Sequence, residues 1–328
     1  MRVCVYGAGA VGGHIAGRLA VAGVKVSLVV RGDNLAAIRE HGLRVQTPEG
    51  LLYSQPIATE DPVTLGVQDI VIVTVKAPAL PKVAESIAPL LGPGTSVLFV
   101  MNGIPWWYFH AHGGGLDGKR LSTIDPGDTV WRNIDPQRAV GAVAHTACTV
   151  TGPGVIHVQN PKNRIVFGRP DGSADEKLDA LAAAMCAGGL QAEVTSRIRD
   201  AVWEKVLMNL VGGSLGILTA STMGEALACP ASLAAAERMT QEGAAIAQAL
   251  GCSVGDPMLG LSRLRVSKHR QSILQDLMAG RAMEVEALLA APLELARLAE
   301  VPTPTCDLIV GLAIQKARAA GLYTKPIR

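Results

Sequence analysis

Lys205 and Asn209 stand four residues apart in the run DAVWEKVLMNL, a spacing that places both on one face of a helix. Trp203, Val206, Leu207 and Leu210 cover the other directions, so the run reads as a largely buried helix carrying a cation and an amide. Burying a lysine is costly unless it is paired, and desolvation lowers its pKa toward the range in which it serves as a general acid. Glu284, in the apolar run GRAMEVEALL, is the carboxylate that could partner it. A purely structural lysine–glutamate pair between two helices is the alternative. Two further groups, Lys76 in VIVTVKAP and Asn102 in VLFVMNGI, follow apolar, strand-like runs directly. Ligands of open α/β sheets bind at such strand ends, where a cation and an amide could meet a nucleotide or a carboxylate. Their other reading is a strand-terminal charge and a turn residue before Gly103.

What these residues would act with is suggested by the amino terminus. The run Val3–Tyr6 breaks directly into Gly7-Ala8-Gly9-Ala10-Val11-Gly12, with glycines at G-x-G-x-x-G spacing. In a dinucleotide-binding turn the first glycine allows the tight bend and the second admits a pyrophosphate against the backbone. The third lets the next helix pack close to the sheet. Helix N–H groups then face the phosphates. The rest of the unit fits, with a small-residue helix over His14–Ala22, a stop at Gly23 and a buried strand over Val24–Val30. An acidic residue at the end of that second strand would favour NAD, whereas an arginine accommodates the 2′-phosphate of NADP. The residue there is Arg31, with Asp33 two positions later, so the sequence points to NADP(H), with a solvated loop charge as the alternative.

The elements needed to carry these groups are those of an α/β protein. Strand-like runs at Leu43–Val45, Asp69–Val75 and Thr95–Val100, with a helix over Leu80–Leu91 closed by Gly92-Pro93-Gly94, predict an N-terminal Rossmann-type doubly wound sheet. Shorter strands follow over Val140–Gly168, turning at Gly152-Pro153-Gly154, and a helix opens near Ala174. Beyond Thr195 the sequence is helical almost throughout, over Asp200–Leu218, Ser232–Leu250, Ser272–Ala279, Met283–Ala299 and Cys306–Ala320. This predicts a C-terminal all-α domain, with residues 1–196 as the nucleotide-binding domain and 197–328 as the helical one. Between them, Pro105-Trp106-Trp107-Tyr108-Phe109 holds four of the chain's eleven aromatics and opens a Gly/Asp/Pro-rich stretch to Gln137. Such aromatics could wall a ligand site or a subunit contact, or simply pin a loop to the surface.

Composition narrows the function classes. The 328 residues are 49% hydrophobic and 18% charged with a net charge of +2, which fits a folded chain and offers no basic run for nucleic acid or an anionic membrane. Lys25, Arg31, Asp69 and Lys76 interrupt the strand-like apolar runs, and no uninterrupted apolar run approaches a membrane span. The six scattered cysteines form no C-x-x-C pair and read as small buried residues in a reducing, cytoplasmic setting. His110-x-His112 lacks a further ligand at metal spacing, so no metal site is expected. Glycine spacing argues against reading the first residues as a signal peptide.

Taken in order, GAGAVGG, VKAP around Lys76, MNG around Asn102, WEKVLMN around Lys205 and Asn209, and SILQDLMAGRAMEVE over Ser272–Glu286 resemble the ketopantoate reductase (2-dehydropantoate 2-reductase) family along the whole chain. The resemblance implies an enzyme that uses NADPH to reduce a small-molecule 2-oxo acid to a 2-hydroxy acid, in a cleft between the two domains; a homodimer is compatible with it. It implies cofactor contacts from Gly7, Ala8, Gly9, Ala10, Val11, Gly12, Arg31, Lys76, Asn102 and Glu284. Lys205 would donate the proton and Glu284 would orient it. Asn102, Asn209 and Ser272 would hold substrate. The chain also departs from the family pattern. Gly213 stands one turn beyond Asn209 and His269 three residues before Ser272, both where the family often has asparagine, and His269 becomes a candidate substitute for the lost amide. Glu286-Ala287-Leu288-Leu289-Ala290 replaces an acidic-aromatic-x-Asn-Gly segment. These departures leave room for a different oxo acid, for a related β-hydroxyacid dehydrogenase, or for a sensor that binds NADP(H) without turnover.

Overall fold

A computed structural model describes residues 1–324. The chain folds as two compact units. Residues 1–101, 107–120 and 127–198 form the first, and residues 102–106, 121–126 and 199 onward form the second. The division falls near the boundary expected at residue 196, but two short segments of the connecting stretch group with the helical unit.

The first unit is built from β1 (Arg2–Tyr6), α1 (Ala10–Val21), β2 (Lys25–Val29), α2 (Gly32–His41), β3 (Leu43–Thr47), β4 (Gly50–Ser54), β5 (Ile57–Thr59), β6 (Gln68–Val73), α3 (Leu80–Ser86) and β7 (Leu91–Val100). It continues through α4 (Thr129–Ile134), β8 (Ala139–His145), β9 (Cys148–Gly152), β10 (Val155–Val158), β11 (Arg164–Gly168), α5 (Glu176–Ala187) and β12 (Gln191–Val194). Its main sheet has the order β12-β11-β8-β7-β6-β1-β2-β5. The run from β5 to β8 is parallel, whereas β11 pairs antiparallel with β8. The strand order reverses at β1, which pairs in parallel with β2 on one edge and β6 on the other, so the turn after β1 lies at the switch point of a doubly wound sheet. Val3, Cys4, Val5 and Ile70 to Val73 are fully buried, as continuous β-branched runs in a covered parallel sheet should be.

Several elements differ from the sequence expectations. The run at Leu43 is a strand, but β3 joins a separate four-stranded sheet of order β4-β3-β10-β9. Its place in the main sheet is taken by β5, three residues long with Ile57 exposed, too short to leave a periodic signal. Helix α2, with Arg31 at its N-cap position and ended at Gly42, is polar on most faces and carries no apolar stripe. Gly92-Pro93-Gly94 does not stop a helix there but opens β7, after α3 has ended at Ser86. The aromatic cluster lines neither a surface nor an open wall, because Trp106, Trp107, Tyr108 and Phe109 are all buried. Trp107 lies over β8 where Gly141 has no side chain; a Cβ there would sit 2.2 Å from the indole. The stretch that follows contains α4 instead of being wholly irregular.

The second unit is helical: α6 (Ile198–Thr219), α7 (Met223–Ala228), α8 (Pro230–Ala249), α9 (Pro257–Arg265), α10 (Ser272–Met278), α11 (Ala291–Leu298) and α12 (Pro304–Ala319). Leu210, Val211, Met239, Ile273, Val285, Leu289 and Val310 are among its buried core. Helix α6 is long and apolar enough to cross a membrane by length and composition, yet 67% of its apolar window is buried in the protein, as in the central helix of a bundle. Of the cysteines, Cys4, Cys252 and Cys306 are buried, Cys148 is half-buried and Cys186 and Cys229 are exposed.

Candidate active site

The glycine turn is built from interactions that can be followed atom by atom. Gly7 has φ +103°, a conformation that favours glycine, and its N–H donates to the Val29 carbonyl at 2.9 Å. Thr74, just past the end of β6, donates its hydroxyl to the Gly7 carbonyl and its N–H to the Tyr6 carbonyl. A Cβ at Gly12 would lie 2.0 Å from the Gly7 carbonyl oxygen and 2.3 Å from Thr74 Oγ1, so only glycine lets α1 approach the turn. Thr74 is a positioning residue that sequence reasoning passed over; its location at a strand's carboxyl end was the available signal.

Gly9 is different. Its φ of −76° and ψ of −163° suit any residue, and a Cβ there would meet nothing within 4 Å. Neither the backbone nor the packing of the protein requires glycine, and a methyl would instead fill the space before the N-terminus of α1. That is the cradle expected where a pyrophosphate must approach the main chain, so these residues fit a dinucleotide. Arg31 is exposed, extended, and caps α2 immediately after β2, the position from which a ribose phosphate at the strand end would be reached. Lys76 is exposed just beyond β6. Behind the turn, buried His14 accepts a hydrogen bond from Arg18 Nε at 3.2 Å, and burial, aided by the Arg18 charge, pulls its pKa down to about 4.

In the second unit, Lys205 and Asn209 both lie on α6 and both are half-buried, while Trp203, Val206, Leu207 and Leu210 are buried as the pattern requires. Lys205 is thus less enclosed than the sequence suggested. Glu284 is 7% exposed but does not belong to a helix, which corrects the expectation of one running from Met283. The reason lies upstream, where Gly280 (φ +62°) ends α10. Its N–H donates to Leu277, and the N–H of Arg281 donates to the Asp276 carbonyl, leaving residues 281–284 outside regular structure. Asp276, buried, also receives Arg281 Nε at 3.0 Å, a clamp that shapes the loop leading to Glu284. Asn102 is half-buried and groups with this unit, as part of residues 102–106. Ser272, the first residue of α10, and His269, in the loop before it, are both exposed. At Gly213 a Cβ would meet Ile273 at 3.3 Å and Leu289 at 3.7 Å, so this position is closed over by apolar side chains.

The chain is similar to known proteins along its whole length. Residues 3–106 match the family model "Ketopantoate reductase PanE/ApbA", and residues 197–317 match "Ketopantoate reductase PanE/ApbA C terminal". The chain is 41% identical to a 2-dehydropantoate 2-reductase of Mesorhizobium japonicum over 331 aligned positions, covering 99% of this chain and 100% of the relative. A crystal structure of a candidate ketopantoate reductase from Ralstonia solanacearum MolK2 superposes with a TM-score of 0.90 at 37% identity, covering 98% of this chain and 99% of that one. D-mandelate dehydrogenase, crystallised with NADH and anilino(oxo)acetate, shares the fold at 19% identity with a TM-score of 0.82, covering 98% of this chain and 100% of that one. On the two family matches and the full-length likeness, the chain belongs to the ketopantoate reductase family.

Proposed function

We propose that the protein reduces a 2-oxo acid, 2-dehydropantoate foremost, to the 2-hydroxy acid at the expense of NADPH. The observation that carries this reading is the end-to-end likeness to a 2-dehydropantoate 2-reductase. The nicotinamide, when bound, supplies the hydride that the 2-carbon accepts. In this reading the Gly7–Gly12 turn and the first N–H groups of α1 hold the pyrophosphate, and Arg31 selects the 2′-phosphate. Lys205 gives its proton to the oxygen that becomes the hydroxyl, stabilising charge that develops only as the reaction proceeds. Glu284 keeps Lys205 in its protonated, correctly turned state, while Asn102, Asn209 and Ser272 bind the polar groups of the substrate.

Gly213, packed against Ile273 and Leu289 where the family often has asparagine, offers no amide to a substrate, which favours a second reading on the substrate alone: an oxo acid whose side chain is more apolar than that of ketopantoate. Loss of NADPH absorbance against a panel of branched and aromatic 2-oxo acids tests both. Highest kcat/KM with 2-dehydropantoate supports the first reading, and a decisive preference for an apolar analogue supports the second. Lys205→Ala should reduce kcat by roughly 10²- to 10⁴-fold; unimpaired turnover would remove it from the role of proton donor.

A further inference from the structure

Between Glu284 and α11 the chain makes one turn of π-helix, Glu286–Ala290. The hydrogen bonds of that turn leave the Ala287 carbonyl without a partner in the turn. Leu288 N–H donates to Glu284 at 3.1 Å in the α pattern, but Ala291 N–H reaches back five residues to Glu286. Ala287 has therefore lost its α partner, Ala291. Its π partner would be residue 292, which is proline and has no N–H. The Ala287 carbonyl, on a residue that is 1% exposed, instead accepts the N–H of Ile104 at 2.9 Å, and Ile104 is equally buried. Two main-chain groups that would otherwise be buried without partners satisfy each other. The approach is so close that Gly103 must be glycine. Its φ is +83°, and a Cβ would lie 2.2 Å from the Ala287 oxygen. Asn102 is the preceding residue, and Ala287 is three residues beyond Glu284.

We infer that the Ile104–Ala287 main-chain bond, kept available by Pro292 and admitted by Gly103, fixes where Asn102 stands relative to Glu284, making Gly103 and Pro292 positioning residues for the reaction. The inference rests on the reading of Asn102 and Glu284 given above. It also accounts for the unusual Glu286–Ala290 segment, whose contribution is a backbone carbonyl freed by a π-turn, a distortion often found beside functional sites. The helix is distorted at a proline, where an interior N–H is missing anyway, and the docked loop takes up the freed acceptor.

Pro292→Ala tests it, because the new N–H at 292 competes for the freed carbonyls and lets the turn relax toward α-helix. In the full-length protein, exchange of the Ile104 amide should accelerate at least tenfold and kcat/KM for the 2-oxo acid should fall about tenfold, with the thermal midpoint little changed. Gly103→Ala should do the same more severely, and Ile104→Val, which retains the N–H, should preserve activity. Faster exchange with unchanged kcat/KM would overturn the positioning role. An Ile104 amide that exchanges freely in the unmodified protein would overturn the hydrogen-bond assignment, whether or not either variant folds. Absence of turnover by the unmodified protein with every oxo acid would instead defeat the functional reading, and the exchange result would stand apart from it.

Discussion

Acid should loosen the nucleotide-binding unit through one side chain, His14. It lies in α1, two residues after Gly12, and is 1% exposed. Arg18 Nε donates to His14 Nε2 at 3.2 Å, which requires that nitrogen to be unprotonated. The proton then resides on Nδ1, 3.3 Å from Thr146 Oγ1, and Thr146 in turn donates to Asn163 Oδ1 at 2.6 Å. Arg18 is itself held by the Gly188 carbonyl and Glu49, so protonated His14 would face a guanidinium that cannot retreat. Burial first, and then the Arg18 charge, lower the His14 pKa from 6.5 to about 4. Because the folded pKa is depressed, the unfolded chain binds this proton first. The stabilisation is therefore complete above pH 6.5 and is lost as pH falls toward and through 4. The full difference corresponds to roughly 3 kcal/mol, of which about 2 kcal/mol is lost between pH 7.5 and pH 5. Denaturant unfolding of the native protein and of His14→Gln at these two pH values isolates the contribution, since other groups titrate in both. The native protein should lose about 2 kcal/mol more than the variant. Equal pH dependence, or a His14 pKa near 6.5 in a histidine-resolved NMR titration, would refute the reasoning.

Arg31→Ala should weaken NADPH binding by roughly ten- to a hundredfold, the range of a charge-assisted hydrogen bond, and leave NADH binding within a few-fold; equal losses in calorimetric titrations would argue against a contact with the 2′-phosphate. Gly9→Ala should keep the thermal midpoint, since its added methyl meets no protein atom, yet lower cofactor affinity at least tenfold. Gly12→Ala should behave oppositely in stability, losing about 1–3 kcal/mol because its methyl strikes the Gly7 carbonyl and Thr74. Unchanged NADPH affinity in Gly9→Ala would contradict the cradle.

The large features were legible because each carries a strong pattern. Continuous β-branched runs gave away β1, β6 and β7, and the four-residue spacing of Lys205 and Asn209 placed them together on α6. The missing pieces have physical causes. Helix α2 exposes most of its surface and so lacks an apolar stripe, and β5 is an edge strand of three residues. The second sheet is assembled from β3, β4, β9 and β10, two hairpins of which one ends at Ser54 and the other begins at Cys148, and no local pattern announces their pairing. The apolar neighbours of Glu284 suggest a helix that includes it. The helix begins later because Gly280 and the Asp276–Arg281 clamp turn the chain first.

Glycines make the same point at higher resolution. In sequence, Gly9, Gly12 and Gly103 are each a small residue near the end of a strand-like run, and a motif can only suggest that some backbone must pass close by. The structure separates what passes. At Gly12 it is the protein's own turn, at Gly103 it is the carbonyl of Ala287, and at Gly9 it is no protein atom at all. The open space at Gly9 lies before the N-terminus of α1, where a pyrophosphate could approach the main chain. The same comparison turns the Glu286–Ala290 departure from an apparent loss into a rearrangement. Side-chain amides are missing there, but the carbonyl released by Pro292 ties the Asn102 segment to the residues beside Glu284. Precision of placement at this site therefore depends on main-chain hydrogen bonding that side-chain motifs do not record.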